Sequence, residues 1–273
     1  MVYFWVENML AEVRYLDISA VKGECERLGT VCPKIVYYDI IDSTNTRARE
    51  YAKEHPENKE TVVFAADAQS LGRGRRGRSF CSNAGAGIYV SFLIYPEERG
   101  AFATGITAYS AVALARATES VCSASPMIKW VNDLYLNGKK LAGILAECEM
   151  DSDGKISHLV LGMGINVYKN AISEEISDIA TSIEDETGEK ISREKLLAHI
   201  IHEFVLRLPE IYSPEIYNEY KSRLFVLGRE ITVLRAEEKY SARAVDLTED
   251  YSLVVESERG REELYSGEIS TKI

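Results

Sequence analysis

The chain has 273 residues, 46% of them hydrophobic, enough for one large domain plus a small one, or for two of moderate size. Its 43 acidic and 32 basic residues give a formal net charge of -11, which argues against general binding to nucleic acid or a membrane surface. Cys25, Cys32, Cys81, Cys122 and Cys148 make an odd set without a CxxC pair, so reduced thiols in a cytosolic protein are expected and a structural zinc is not. There is no N-terminal signal pattern and no apolar run long enough to span a bilayer.

Residues 1–34 are compatible with helix but weakly patterned, and read as a short extension. Lys34 to Ile41 is rich in β-formers and is followed by the polar step Asp42-Ser43-Thr44-Asn45. The step predicts a helix from about Thr44 to Glu54, capped by Asp42 or Ser43. Val62–Ala66 reads as a short buried strand and Gly87–Tyr95 as a second. Ile106, Tyr109, Val112, Ala113 and Ala117 recur at helical spacing and predict a long buried helix. Asp133–Leu136, Asn137-Gly138 and Lys139–Ala146 form a strand, turn, strand pattern, and Ile156–Val167 continues the strand series. Leu196, Leu197, Ile200, Phe204 and Leu208 mark another helix, started by Ser192 and stopped near Pro209; a further one follows Ser213-Pro214. After about Leu224 the texture changes to short strands at Ile231–Leu234, Ala242–Leu247 and Leu253–Val255. The expected fold is α+β with a mixed or antiparallel sheet over residues 35–223, then a small barrel-like β-module over 224–273.

The chemistry-bearing segments are short. Gly72-Arg-Gly-Arg-Arg-Gly-Arg78 places four guanidinium forks, Arg73, Arg75, Arg76 and Arg78, on a hinge of glycines. Like charges this close repel unless an anion sits among them, so the loop is expected to be loose when empty and ordered around a polyanion or acyl-phosphate. It is neither a Walker loop nor a dinucleotide fingerprint; alone, it is as readily a solvated turn or an Arg/Gly nucleic-acid segment. Lys129-Trp130-Val131-Asn132-Asp133 gathers a cation, an aromatic plane, an amide and a carboxylate. Alone it reads as a strand end with Trp130 in the core; as a site it suits a nucleotide, with Asp133 holding Mg²⁺ on ATP phosphates or accepting a proton from an attacking amine. Lys139-Lys140-Leu-Ala-Gly143 offers Lys140 as a rigid point charge, and Gly143 inside a strand hints at close approach by a backbone or ligand. Gly162-Met-Gly-Ile-Asn166 is a tight-packing signal that ends in an amide. His55, His158, His199 and His202 are dispersed and suggest no metal site.

Taken in order, Asp42-Ser-Thr-Asn45, Gln69 with the Arg loop, Lys129–Asp133, Lys140-Leu-Ala-Gly-Ile144 with Glu147, and Gly162–Asn166 resemble the biotin–protein ligases, from about Ile35 to the C-terminus. The resemblance implies a catalytic domain related to class II aminoacyl-tRNA synthetases and a C-terminal SH3-like domain. It implies adenylation of biotin by MgATP to biotinoyl-5′-AMP, then transfer to a lysine of a biotin carboxyl carrier domain, in a cytoplasmic monomer or homodimer. By the same resemblance Ser43, Thr44, Asn45, Gln69, Arg73, Gly74, Arg75, Lys140 and Gly143 would bind biotin. Arg75, Arg78, Phe80, Trp130, Asn132, Asp133, Lys140 and Asn166 would bind ATP. Lys140, Arg75 and Asp133 would be catalytic, with Asp133 on the Mg²⁺ of ATP.

The residue chemistry agrees with this resemblance. Such a reaction needs no protein nucleophile, only the positioning of two anions and stabilisation of charge at phosphorus. An uncharged ureido ring wants amide and hydroxyl partners, which Ser43, Thr44, Asn45 and Gln69 supply. The sequence departs from the family at Val131, usually proline, and at Phe80, commonly tryptophan. Residues 1–34 are too short for the winged helix-turn-helix of the members that repress transcription, so no specific DNA binding is expected. Two rivals are a lipoate or octanoate ligase, which shares the catalytic fold, and a non-enzymatic Arg/Gly RNA-binding protein, which the acidic total and the lack of aromatics clustered around the loop disfavour.

Overall fold

A computed structural model describes residues 15–96, 102–235, 238–265 and 268–270; the first fourteen residues of the 1–34 extension lie outside this set. Among the described residues, seven strands form one sheet in the order β1-β2-β3-β7-β6-β5-β4. They are β1 (Lys34–Ile41), β2 (Val62–Gln69), β3 (Gly87–Ile94), β4 (Met127–Lys129), β5 (Asp133–Leu136), β6 (Lys139–Met150) and β7 (Ile156–Asn166). Only β1 and β2 run parallel, and every other pairing is antiparallel, so the sheet is mixed as expected.

Alternation along the strands gives the sheet two different faces. Val63, Ala65, Ile88, Val90, Phe92, Leu161, Met163 and Ile165 point into the main core. That core is closed by α1 (Ile18–Arg27), α3 (Phe102–Glu119) and α5 (Arg193–Arg207). The intervening residues face the other way. Val62, Phe64, Leu93 and Val160 pack against Ala48 and Ala52 of α2 (Thr44–Glu54). α2 covers only part of this second face, and the exposed remainder beyond its N-terminus is where the cleft lies.

The helix starts follow sequence chemistry. Ser192 accepts from the Lys195 N–H at the head of α5, and Ser213 does the same for Ile216 in α6 (Pro214–Arg223), with Pro214 in the first turn. At α2 the expected cap is not made. Ser43 occupies the N-cap position, but its hydroxyl makes no capping bond; Asp42 instead accepts from the Ser43 N–H and clamps Arg47 with both carboxylate oxygens. Asn137 and Gly138 take φ of 48° and 85°, the left-handed pair that a two-residue hairpin turn demands. The Trp130–Val131 peptide is cis.

Residues 15–28, read as extension, pack into the main core through Leu16, Val21 and Cys25. A short helix α4 (Ile183–Thr187) and the three-residue β4 had no clear sequence signal. The C-terminal module is an antiparallel sheet in the order β11-β10-β9-β8-β12, built from β8 (Glu230–Arg235), β9 (Glu238–Leu247), β10 (Leu253–Ser257), β11 (Gly260–Leu264) and β12 (Glu268–Ser270). This arrangement is consistent with the small SH3-like barrel expected. Its apolar residues merge with the main core, where Leu224 and Phe225 join the Ile128 strand.

One buried ion pair ties the layers together. Arg193, the first residue of α5, places its guanidinium 2.6 Å from Asp67 near the end of β2; the two side chains are 2% and 0% exposed. Asp67 also accepts from the Leu16 N–H at 2.9 Å and from the Tyr37 hydroxyl of β1, while Arg193 donates to the Gly87 carbonyl at 3.1 Å. Burial, reinforced by the Asp67 carboxylate, holds the Tyr37 phenol well above its ordinary pKa. Asp67→Asn would keep the shape and strand the Arg193 charge. We expect a loss of ~3–5 kcal/mol, seen as a fall of roughly 10 °C in melting temperature. An unchanged melting temperature would show that the pair is dispensable.

Candidate active site

The cleft opens on the α2 face of the main sheet, with a volume of about 280 Å³. Its floor exists because three residues of that face are glycines at alternating positions: Gly143 on β6, paired with Gly164 on β7, and Gly162. The last two are occupied by neighbours. A Cβ on Gly162 would lie 2.1 Å from Asn45 Oδ1, and one on Gly164 would lie 2.5 Å from the Phe80 ring. Asn45 and Phe80 therefore rest directly on the backbone of β7.

One end of the cleft is uncharged and polar. Thr44 and Asn45, in the first turn of α2, are buried and linked by Ser91 of β3, whose hydroxyl lies 2.7 Å from Thr44 Oγ1 and 2.6 Å from Asn45 Oδ1. Gln69, at the end of β2, accepts from the Thr44 N–H at 2.8 Å and from its hydroxyl at 3.1 Å, and donates to Ser82 at 2.9 Å. Ser43 lines the same end. Its hydroxyl oxygen is buried and has no hydrogen-bond partner, an arrangement that favours a ligand donor or acceptor.

The other end is cationic. Arg73, Arg75, Arg78, Lys129 and Lys140 line the cleft, against Asp133 as the one carboxylate among its described lining residues. Lys140 pairs with Asp133 at 2.7 Å, close beside Gly143. Its backbone is held on both sides, the N–H donating to Ile179 O and the carbonyl accepting from Thr181. Asn132 donates from its amide to Asp133 and to Ile144 O, and accepts from Arg75 at 2.9 Å. Lys129 and Asp133 are cross-strand partners, and the three-residue link 130–132 brings Trp130 and Asn132 to the cleft wall while Val131 packs in the core.

The Arg loop departs from expectation. It is not loose: Gly74 N–H donates to Arg78 O at 2.7 Å, Phe80 N–H to Gly72 O at 2.9 Å, and Arg73 bridges to Ser79. The result is a small hairpin whose tip turns through Arg76 and Gly77 at φ of 54° and 75°. Three of the four arginines have separate partners, which relieves repulsion among them. Arg73 lies 3.0 Å from Glu147 and Arg75 binds Asn132, while Arg76 reaches Leu234 O at 3.4 Å.

Gly74, Arg78 and Phe80 also line the cleft. Trp130 borders it but spends its indole N–H on Tyr251 O of the C-terminal module at 2.9 Å, with the ring 3% exposed. Asn166 is not brought to the cleft. Its buried amide donates to Thr181 O, bracing the segment that holds Lys140. Behind the wall, the Tyr220 hydroxyl donates to Val131 O, and full burial drives that phenol far above its ordinary pKa.

Three contributors had little sequence signal. Leu234, Ile269 and Ser270 reach the cleft from the C-terminal module, and only the tertiary fold places them there. Ser91 was detectable as the single aliphatic hydroxyl in the apolar run Gly87–Ile94. Glu147 faces the same side as Gly143 four residues further along and ties Asn45 to Arg73.

A mixed sheet with a cationic, amide-lined cleft, followed by a small β-module, is an arrangement for holding an acid beside a phosphate. Comparison with known proteins agrees. Residues 37–166 match the Biotin/lipoate A/B protein ligase family, and residues 226–272 match the Biotin protein ligase C terminal domain. The bifunctional ligase/repressor BirA of Bacillus spizizenii is 31% identical over 241 residues, 86% of this chain and 73% of that protein. The biotin–[acetyl-CoA-carboxylase] ligase of Paracoccus denitrificans is 28% identical over 84% of this chain and 96% of that protein. Among solved structures, the biotin protein ligase from Aquifex aeolicus in complex with biotin and ATP superposes with a TM-score of 0.74 at 30% identity, over 87% of this chain and 97% of that one. The chain belongs to the biotin protein ligase family.

The glycine floor gives a graded test. Gly162→Ala and Gly164→Ala must each displace a packed group and should cost ~1–3 kcal/mol in chemical denaturation. Gly143→Ala, whose Cβ would meet the flexible end of Lys140 at 3.3 Å and Asp133 Oδ1 at an ordinary 3.6 Å, should cost clearly less. Equal costs at all three positions would contradict the packing described.

Proposed function

We propose that this cleft activates biotin with MgATP and passes the acyl group to a lysine of a biotin carboxyl carrier domain. The observation that carries the reading is the juxtaposition of two unlike ends in one cleft: an uncharged hydroxyl–amide end at Ser43, Thr44, Asn45 and Gln69, and a cationic end at Lys140, Arg75 and Arg78. A ureido ring suits the first, and a carboxylate meeting a triphosphate suits the second. A lipoate or octanoate substrate is not favoured, because the relatives and solved neighbours described above carry biotin ligase names.

In the first step a biotin carboxylate oxygen attacks the α-phosphorus, forming the acyl–phosphate bond and expelling pyrophosphate. Lys140, held rigidly at its backbone, lies where it can leave Asp133 for the carboxylate and the α-phosphate, and so offset charge as it builds at phosphorus. In this reading Phe80, partly exposed, offers a flat surface to the adenine, and the buried Trp130 braces the wall behind it. Mg²⁺ enters as part of the MgATP substrate. Among the described residues no group of three His, Cys, Asp or Glu side chains is arranged to hold a metal by itself, so Asp133 would add one carboxylate to an ion carried by phosphates.

In the second step the neutral amine of the carrier lysine attacks the mixed anhydride. The amide C–N bond forms, the acyl–oxygen bond breaks, AMP leaves, and Asp133 is placed to take the amine proton. The Arg loop retains the adenylate between the two steps.

Residues 35–223 form the catalytic part in this reading and 224–273 the module that completes it. The acidic surplus gives no charge attraction for an acidic carrier, so shape complementarity selects it. The reading includes no site-specific DNA binding. It places the enzyme in the cytoplasm, in keeping with five free thiols.

Biotin-dependent exchange of labelled pyrophosphate into ATP, run beside lipoate and octanoate, tests the reading: exchange should occur with biotin alone. Exchange with lipoate instead would overturn the substrate, and none with any acid would overturn the activity. Lys140→Ala should lower the exchange rate by about 10²–10³-fold. Arg75→Gly, which removes the bond to Asn132, should release the adenylate faster and label bystander lysines; release no faster than wild type would refute the retaining role of the loop.

A further inference from the structure

Glu147 joins the two ends of the cleft through separate oxygens. Its Oε2 accepts from the Asn45 amide at 2.8 Å; its Oε1 lies 3.0 Å from the Arg73 guanidinium and 3.8 Å from that of Arg49. A carboxylate is an acceptor on both sides, so it dictates the orientation of what it touches. The Asn45 NH₂ must face Glu147, which turns Asn45 Oδ1 toward the Ser91 hydroxyl at 2.6 Å. Asn45 cannot shift to escape this, because it sits on Gly162 with no room beneath it. With its one proton directed at Asn45, Ser91 accepts from the Thr44 hydroxyl at 2.7 Å, so the polarity set at Glu147 runs through Ser91 to Thr44, while Gln69 is held by the Thr44 N–H. The other oxygen anchors the stem of the Arg loop.

We propose that Glu147 is a positioning residue that couples closure of the Arg loop to the hydrogen-bond polarity of the floor on which biotin is recognised; the second half of this statement rests on the biotin reading of the cleft. A glutamine at this position has one oxygen and one NH₂. Turned one way, it sets an NH₂ against the Arg73 cation. Turned the other way, it sets an NH₂ against the Asn45 NH₂ and forces that amide to flip. It can serve the loop or the floor, but not both.

The test compares wild type, Glu147→Gln and Ser91→Ala, with melting temperatures measured alongside. Tryptic cleavage within Arg73–Arg78 reports loop opening without any ligand, since cleavage tracks the open population. We expect Glu147→Gln to be cut about three- to fivefold faster and to show a biotin KM in pyrophosphate exchange raised roughly tenfold, with kcat changed far less. Ser91→Ala releases Asn45 Oδ1 without touching the loop, so it should raise the biotin KM and leave the cleavage rate unchanged.

Two outcomes overturn the proposal. One is cleavage of Glu147→Gln no faster than wild type at an unchanged melting temperature; the other is faster cleavage with an unaltered biotin KM. A wild-type protein inactive with biotin would strike the functional reading and the floor half of the proposal together, while the ligand-free cleavage comparison would still decide the latch.

Discussion

The buried pair of Asp67 and Arg193 is the constraint from which the site geometry follows. Asp67 stands two residues before Gln69, and Gly87, whose carbonyl Arg193 holds, opens β3. The pair therefore fixes both ends of the chain excursion that contains the Arg loop. An ion pair with so little exposure gives weak net stabilisation when intact and is costly when halved, so its value lies in registry more than in stability. It places β2, β3, the head of α5 and the segment at Leu16 in one arrangement and leaves few alternatives.

On this frame the two faces of the sheet divide the labour. One carries large apolar side chains and a helical layer. The other loses its side chains at Gly143, Gly162 and Gly164, and what would be core becomes a floor. Local alternation decides the first face; the absence of side chains at three positions of the same face creates the second. Gln69, Asp133 and Lys140 of the cleft are thus carried by strands and Thr44 and Asn45 by the first turn of a helix, so their placement comes from elements that are rigid for reasons unrelated to binding.

The sequence announced its strong local signals. Asn137-Gly138 imposes a turn that few other dipeptides accept, and the helix starts at Ser192 and Ser213 follow from capping chemistry. The order of the five segments was legible as a family pattern, and most of their residues meet in one cleft. What stayed hidden depends on distance in space. Ser43 looks like a cap, but Asp42 takes over at the helix start and leaves the hydroxyl in the cleft. Four neighbouring arginines suggest a loose loop, but Arg73, Arg75 and Arg76 each reach a partner that lies tens of residues away in the chain. Asn166 closes a motif in sequence yet braces Thr181 in space. No local pattern predicts that β8 and β12 border the cleft.

That last feature carries a thermodynamic consequence. Trp130 hangs from Tyr251 O, Arg76 reaches Leu234 O, and Ile269 and Ser270 form part of the wall. A ligand filling the cleft contacts both the large sheet and the small one and works as an adhesive between them. By reciprocity, whatever free energy the ligand contributes to holding the two units together is returned as affinity for the ligand. The small module is therefore a reservoir of binding energy: mutations at the seam far from any substrate atom will tune affinity, and occupancy of the cleft will protect the seam.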